Sequence, residues 1–223
     1  MSTLLSLREI KFARTKLAIL DSVVALIGQN AAFDDIPVME ICRHAGVSYA
    51  TFFNYFEKKT DVLAYFIQLW SVEVSYRGQR ISAHHGGLKA IEEVFDYTAR
   101  ISEKDPRILG EIIAAQARRY QHGPVVVTSL TKAEKKIRFP DLDESTEVAE
   151  MGLPSVLSLF LKQAIRNGEL AKRTNINDLV LALSAIFFGV PVAVGAEKRS
   201  NLRAHYRKQL QIIWAGTKHQ EIK

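Results

Sequence analysis

Apolar residues recur along this chain at intervals of three and four, the spacing that lines one face of a helix. Ile19, Val23 and Leu26 mark the first such face, on a helix expected over residues 7–29, with Asn30 ending it in a left-handed conformation. Asp34-Asp35-Ile36-Pro37 opens a second helix, with Pro37 in its first turn, where a missing N–H costs little. A long helix over 58–81 carries Val62, Phe66, Leu69 and Glu73 on one face and Leu63, Ile67, Trp70 and Val74 beside them. His84-His85-Gly86-Gly87 breaks the pattern. Helices follow over 88–103 and 106–121, separated by Asp105. Residues 122–143 are less regular, punctuated by Gly123-Pro124 and Phe139-Pro140-Asp141. A helix over 144–167 is expected to bend at Gly152 and Pro154 and to close at Gly168; the last two cover 177–194 and 202–216. No internal repeat, low-complexity run or strand pattern occurs, so the expected fold class is all-α.

Between the second helix and the long one lies the most specific stretch, Ala45-Gly46-Val47-Ser48 followed by Tyr49-Ala50-Thr51-Phe52-Phe53-Asn54-Tyr55-Phe56. It reads as two short helices joined by a tight turn, the arrangement that presents a helix to the DNA major groove. Gly46 is the pivot, since such a turn often needs positive φ. Ser48 suits an N-cap, and Val47 with Phe52 matches a hydrophobic staple. Helix spacing turns Phe52 and Phe56 toward the first helix, as core.

Over residues 16–66 the sequence resembles the N-terminal domain of the TetR family of bacterial transcriptional regulators. The matching features are the apolar first helix, Ala45-Gly46-Val47-Ser48, Thr51, Tyr55-Phe56 and Lys59, in that order. The resemblance implies a three-helix helix-turn-helix DNA-binding domain (residues 1–57) and a helical ligand-binding and dimerisation domain (58–223). It also implies a dimer formed through the last helices, usually as a four-helix bundle, and a small molecule that releases DNA. Two departures stand out. Phe53 occupies a position where tyrosine is common, and Pro37-Val38 stands where threonine hydroxyls are frequent.

Within the motif, Tyr49, Ala50 and Thr51 occupy the first turn of the recognition helix, where side chains meet base edges. Ser48 and Asn54 belong to the same surface. Tyr55, Lys58 and Lys59 suit phosphates, which set register without reading sequence, and Arg14 contributes from the first helix. One short helix reads few base pairs, so specificity calls for two, held at fixed separation by a dimer on an inverted repeat.

Charge refines this picture. The chain has 223 residues, net charge +6 and a pI near 9.4, which invites a nucleic-acid reading. Yet residues 1–60 hold seven basic side chains against six acidic, whereas residues 197–223 hold seven against two. Placement of cations beside the motif matters more than the total. A hydrophobic content of 48% and mean hydropathy of −0.01 indicate a soluble globular protein. The single cysteine, Cys42, excludes an intrachain disulfide, fits a reducing cytoplasm and is expected in the core. The N-terminus has no charged-then-apolar signal pattern.

Residues 179–196 form an uncharged 18-residue run. At 1.5 Å per residue it spans about 27 Å, slightly short of a hydrocarbon core, and it contains Ser184, Gly189 and Pro191. The favoured reading is a helix packed against its own subunit and a partner, with no membrane involved. Ala182, Ala185, Ile186 and Gly189, with Leu157 and Leu161, form the expected dimer interface.

The candidate effector pocket combines aromatic walls with a few polar groups: Trp70, Glu73, Arg77, Tyr97, Gln116, Arg119 and Tyr120. A hydrophobic or aromatic compound is the default class. Nothing calls for a cofactor, a metal or catalysis: there is no Gly-rich phosphate loop and no HExxH. Gly46-Val47-Ser48-Tyr49-Ala50 resembles a nucleophile elbow, but a helix precedes it where a strand is needed. His84, His85 and His122 lack partners at ligand spacing. The expected partners are therefore double-stranded DNA, a second copy of the chain and a small-molecule effector. A protein–protein adaptor and a ligand-independent DNA binder are the alternatives.

Overall fold

A computed structural model describes residues 5–29, 32–122, 129–195 and 201–219, with side chains omitted at 119–122 and 218–219. The described residues are all-helical, with ten α-helices and no strand. They divide into two compact units.

The first unit comprises residues 1–69 and 107–144. It contains α1 (Leu7–Gly28), a 3-10 turn (Phe33–Asp35), α2 (Val38–Ala45), α3 (Tyr49–Tyr55) and the start of α4 (Asp61–His85). Nearly all of α6 (Pro106–His122) and α7 (Lys132–Arg138) belong to it too. This grouping extends past the expected boundary at residue 57. Helix α1 begins at a capping box in which Ser6 and Glu9 satisfy each other's backbone donors, and it packs on α2 and α7. Its core is Ala13, Leu17, Ile19, Leu20, Val23, Leu26 and Ile27, joined by Phe33, Ile36 and Ile41. The expected terminus Asn30 lies outside the described residues.

The second unit comprises residues 70–106 and 145–223. It holds the rest of α4, then α5 (Gly87–Lys104), α8 (Leu153–Arg166), α9 (Ile176–Val194) and α10 (Leu202–His219). Helix α5 packs on α8 and α10, and α9 packs on the same two. Phe95, Phe187 and Tyr206 form its aromatic centre, with ring centroids 5.0–5.9 Å apart. The buried Tyr206 hydroxyl donates to the Phe187 carbonyl at 2.6 Å.

Four boundaries differ from the sequence expectation. Pro37 is the N-cap residue of α2, outside its first turn, with Phe33–Asp35 forming a separate 3-10 turn before it. Helix α4 runs through His84 and His85 and stops only at Gly86, whose φ is +87°. A carboxylate from Glu169 then accepts from the Gly87 and Leu88 amides and starts α5. Residues 132–138 form α7, opened by a Thr131/Glu134 capping box. Finally, residues 145–151 are not helical, and Gly152 precedes α8 and does not bend it. The Ser75 and Ser71 hydroxyls on α4 accept from the amides of Ala149 and Gly152, at 3.1 and 3.0 Å.

Candidate nucleic-acid interface

The joint between α2 and α3 is built from local chemistry. Gly46 adopts φ +66°, ψ +34°, and a Cβ there would meet nothing within 4 Å, so backbone conformation alone selects glycine. The Val47 amide reaches the Cys42 carbonyl at 3.0 Å, the bond that closes a Schellman turn. Ser48 then caps α3, accepting from the Thr51 amide at 3.1 Å, and its hydroxyl also bonds the Thr51 hydroxyl at 2.8 Å.

Helix α3 is anchored by its aromatic side. Phe52 and Phe56 are buried, and Phe56 packs on Tyr65 of α4 with centroids 5.7 Å apart. The Lys16 ammonium sits 4.2 Å from the Tyr65 ring centroid and pairs with Glu134 of α7 at 2.9 Å. Burial raises the Glu134 carboxyl, but hydrogen bonds from Thr131 and Lys16 outweigh it and hold its pKa below the usual range. Burial and the neighbouring Glu134 charge push the Tyr65 phenol upward.

The opposite side of α3 faces solvent. Tyr49, Ala50, Phe53 and Asn54 are exposed, and Thr51 and Tyr55 are half-buried. Tyr55 rests on Phe12 of α1, centroids 4.5 Å apart, a contact the sequence reading missed. Lys58 is exposed and its amide donates to Asp61 at the start of α4. Arg14 is exposed on α1.

Lys59 is placed differently from expectation. Its ammonium donates to the Asp34 carbonyl at 3.0 Å and lies 4.6 Å from the Phe33 ring centroid. Desolvation lowers its pKa, against the pull of Asp34, Asp35 and Glu111. It fastens the turn before α4 to the 3-10 turn, because the half-buried ammonium finds its acceptor inside the unit. From α6, Arg118 pairs with the Asp34 carboxylate and Arg107 donates to the Gly28 carbonyl. Apolar periodicity carries no signal for these contacts.

No protein-family model and no curated protein matches the sequence. Solved structures do match. Thermus thermophilus FadR, a TetR-family transcriptional repressor crystallised with lauroyl-CoA, shares 18% identity and superposes with a TM-score of 0.62 over 88% of this chain and 92% of its own. A TetR-family transcription regulator from Shewanella sp. PV-4 shares 17% identity, with a TM-score of 0.51 over 91% and 97%. The chain has the TetR-family fold.

On that TetR-like frame Trp70, Glu73, Arg77 and Tyr97 of the expected effector set fall in the second unit. Glu73 accepts from Arg77 at 2.6 Å, and the Arg77 guanidinium stacks on Tyr97, its central carbon 4.3 Å from the ring centroid. Burial raises the Tyr97 phenol, assisted by the Glu73 charge. Trp70 is half-buried against Phe187, centroids 5.6 Å apart. Gln116 falls in the first unit, and the side chains of Arg119 and Tyr120 lie outside the described residues. His122 is likewise outside as a side chain, and no metal-ligand cluster occurs among the described residues. An open groove lined by Glu103, Arg203, Arg207, Lys208 and Gln211 shares no residue with the expected set.

The expected dimer residues separate too. Leu157 and Leu161 are fully buried in their own subunit, so they have no surface to offer a partner; helix periodicity marked them apolar without saying which body they face. Ala182 and Ile186 are half-buried, while Ala185 and Gly189 are exposed. Cys42 is buried, as expected, and burial pushes its thiol pKa up.

Proposed function

We propose that this chain is a TetR-family transcriptional regulator that binds an inverted-repeat operator in duplex DNA as a homodimer and represses from it. A hydrophobic or aromatic small molecule releases it. The observation that carries the reading is α3, a seven-residue helix pinned by buried Phe52 and presenting Tyr49, Ala50, Phe53 and Asn54 outward. That arrangement suits insertion into a major groove, with exposed Lys58 and Arg14 beside it for phosphates.

The second copy follows from α9. Its mean hydropathy is 1.9 over its most apolar window, of which only 11% is buried within the chain. Leu183, Phe187 and Pro191 face the subunit's own core, and Leu181, Ala185, Gly189 and Val192 form an exposed stripe. A membrane span would be wrapped by lipid, whereas one side of α9 is already held by α8 and α10. A second chain buries the remaining stripe, with Ala185 and Gly189 allowing close approach. This fits a cytoplasmic protein.

We propose the effector site at Trp70, Glu73, Arg77 and Tyr97, four of the expected set, where aromatic surface meets a polar pair. The lauroyl-CoA held by Thermus thermophilus FadR carries an apolar acyl chain, which supports an effector with an apolar part. The effector must bind the DNA-incompetent state more tightly, and DNA must weaken its binding by the same factor.

Titration of a labelled genomic-fragment pool at rising salt tests the DNA reading. Binding should weaken steeply and linearly on logarithmic axes. A folded protein with no affinity for any duplex at low salt contradicts it.

A further inference from the structure

We propose that the recognition surface reads the C5 methyl groups of thymine, and that Phe53, paired with Tyr49, is the specificity-determining residue. This rests on the DNA-binding reading above.

The exposed stripe of α3 is Tyr49, Ala50, Phe53 and Asn54, which helix geometry gathers on one side; buried Phe52 lies at its edge, its ring meeting Phe53 at 5.2 Å. Two of its four members are large rings only partly covered: Tyr49 is 51% exposed and Phe53 38%. Their centroids stand 4.9 Å apart, so they act as one apolar plate, with the Ala50 methyl beside it. Leaving such area in water is unfavourable, which marks the plate as a contact surface.

The hydroxyls nearby are partly engaged. Ser48 and Thr51 bond each other at 2.8 Å, and Ser48 also holds the Thr51 amide, which leaves one hydroxyl proton of the pair for a base or phosphate. The rest of the surface toward a base edge is the plate, the Asn54 amide and the Tyr49 hydroxyl. The major-groove edge of DNA offers one apolar group, the thymine methyl. A guanine or cytosine directly under the two rings would lose water from its donors and acceptors, with only the Asn54 amide and the Tyr49 hydroxyl at the edge to replace it, whereas thymine presents its methyl. Each half-site should therefore hold thymine under Phe53.

The test uses the full-length protein and the best duplex selected from a random-sequence pool. Each half-site thymine is replaced by deoxyuracil, which removes only the methyl. Affinity should fall about three- to tenfold at one or two positions, as for loss of a buried methyl. Phe53→Ala should bind the thymine and uracil duplexes equally, while Tyr49→Phe, which keeps the ring, should retain the preference. Phe53 also meets the buried Phe52 ring edge-on at 5.2 Å, so circular dichroism must show that Phe53→Ala stays helical, and Phe53→Leu, which keeps an apolar neighbour for Phe52, should lose the methyl preference as well. Equal binding of both duplexes by the unmodified protein, with sequence-specific binding retained, overturns the methyl reading alone. No specific binding to any duplex overturns the DNA reading as well.

Discussion

Arg118 on α6 forms an ion pair with the carboxylate of Asp34, while the Asp34 carbonyl accepts from Lys59 in the turn before α4. One residue in the turn after α1 thus ties two elements to the helix-turn-helix. Both partners of the ion pair are substantially exposed, so Arg118→Ala should cost less than about 1 kcal/mol of stability in urea titration. Amide exchange at Phe33–Asp35 should nevertheless accelerate. Unchanged exchange there would mean that the pair does not hold the turn.

Gly46→Ala isolates a backbone term. The added methyl meets nothing within 4 Å, but φ stays at +66°. Destabilisation of about 1–2 kcal/mol is expected. A neutral result in chemical denaturation would show that the turn relaxes at no cost.

Lys58 and Lys59 should behave differently despite their adjacency. Exposed Lys58 is available to a phosphate, so Lys58→Ala should weaken all sites alike and lower the salt slope by about one. Lys59→Ala should act mainly on stability, through loss of its bond to Asp34. Equal drops in salt slope for both variants would return Lys59 to the phosphate contacts.

Lys16 and Glu134 form a pair with side-chain exposures of 13% and 0%. Glu134→Ala strands the Lys16 ammonium and should destabilise by about 3–5 kcal/mol. The pH dependence has a fixed sign. The Glu134 pKa is lowered on folding, so its stabilisation is present above the ordinary carboxylate pKa of 4.5 and is lost as pH falls through the lower folded value. Glu134→Gln should flatten acid unfolding below about pH 4.5; an unchanged acid limb would exclude the pair as its source.

Leu181 is 70% exposed on the outer stripe of α9. Leu181→Arg, or Gly189→Arg, should convert the proposed dimer to a monomer in sedimentation velocity with helicity retained. Persistent dimers from both variants would move the interface off α9.

The helix-turn-helix was legible because its determinants are local: a glycine at a left-handed turn, a serine at an N-cap, phenylalanines at helical spacing. Helix α7 was hidden by the Gly123-Pro124 and Phe139-Pro140 punctuation around it, although Thr131-Lys132-Ala133-Glu134 carries a capping-box signature. The helix expected over 144–167 begins only at Leu153, and its missing part, 144–151, has a tertiary reason. Ser71 and Ser75 capture amides there, and the Gln79 amide holds the Glu147 carbonyl at 3.0 Å. Leu157 and Leu161 show the limit of periodicity, which detects an apolar face without naming what covers it. Lys59 shows the same limit for charge: position suggested a phosphate contact, and only the folded turn revealed a nearer acceptor.

The most direct test of the whole account is selection of duplexes by the purified protein from fragmented DNA at near-physiological salt. The account predicts enrichment of one inverted repeat, bound by two subunits, with thymine recurring at matching positions of both half-sites. A folded protein that enriches no sequence, or only a single unrepeated half-site, would contradict it.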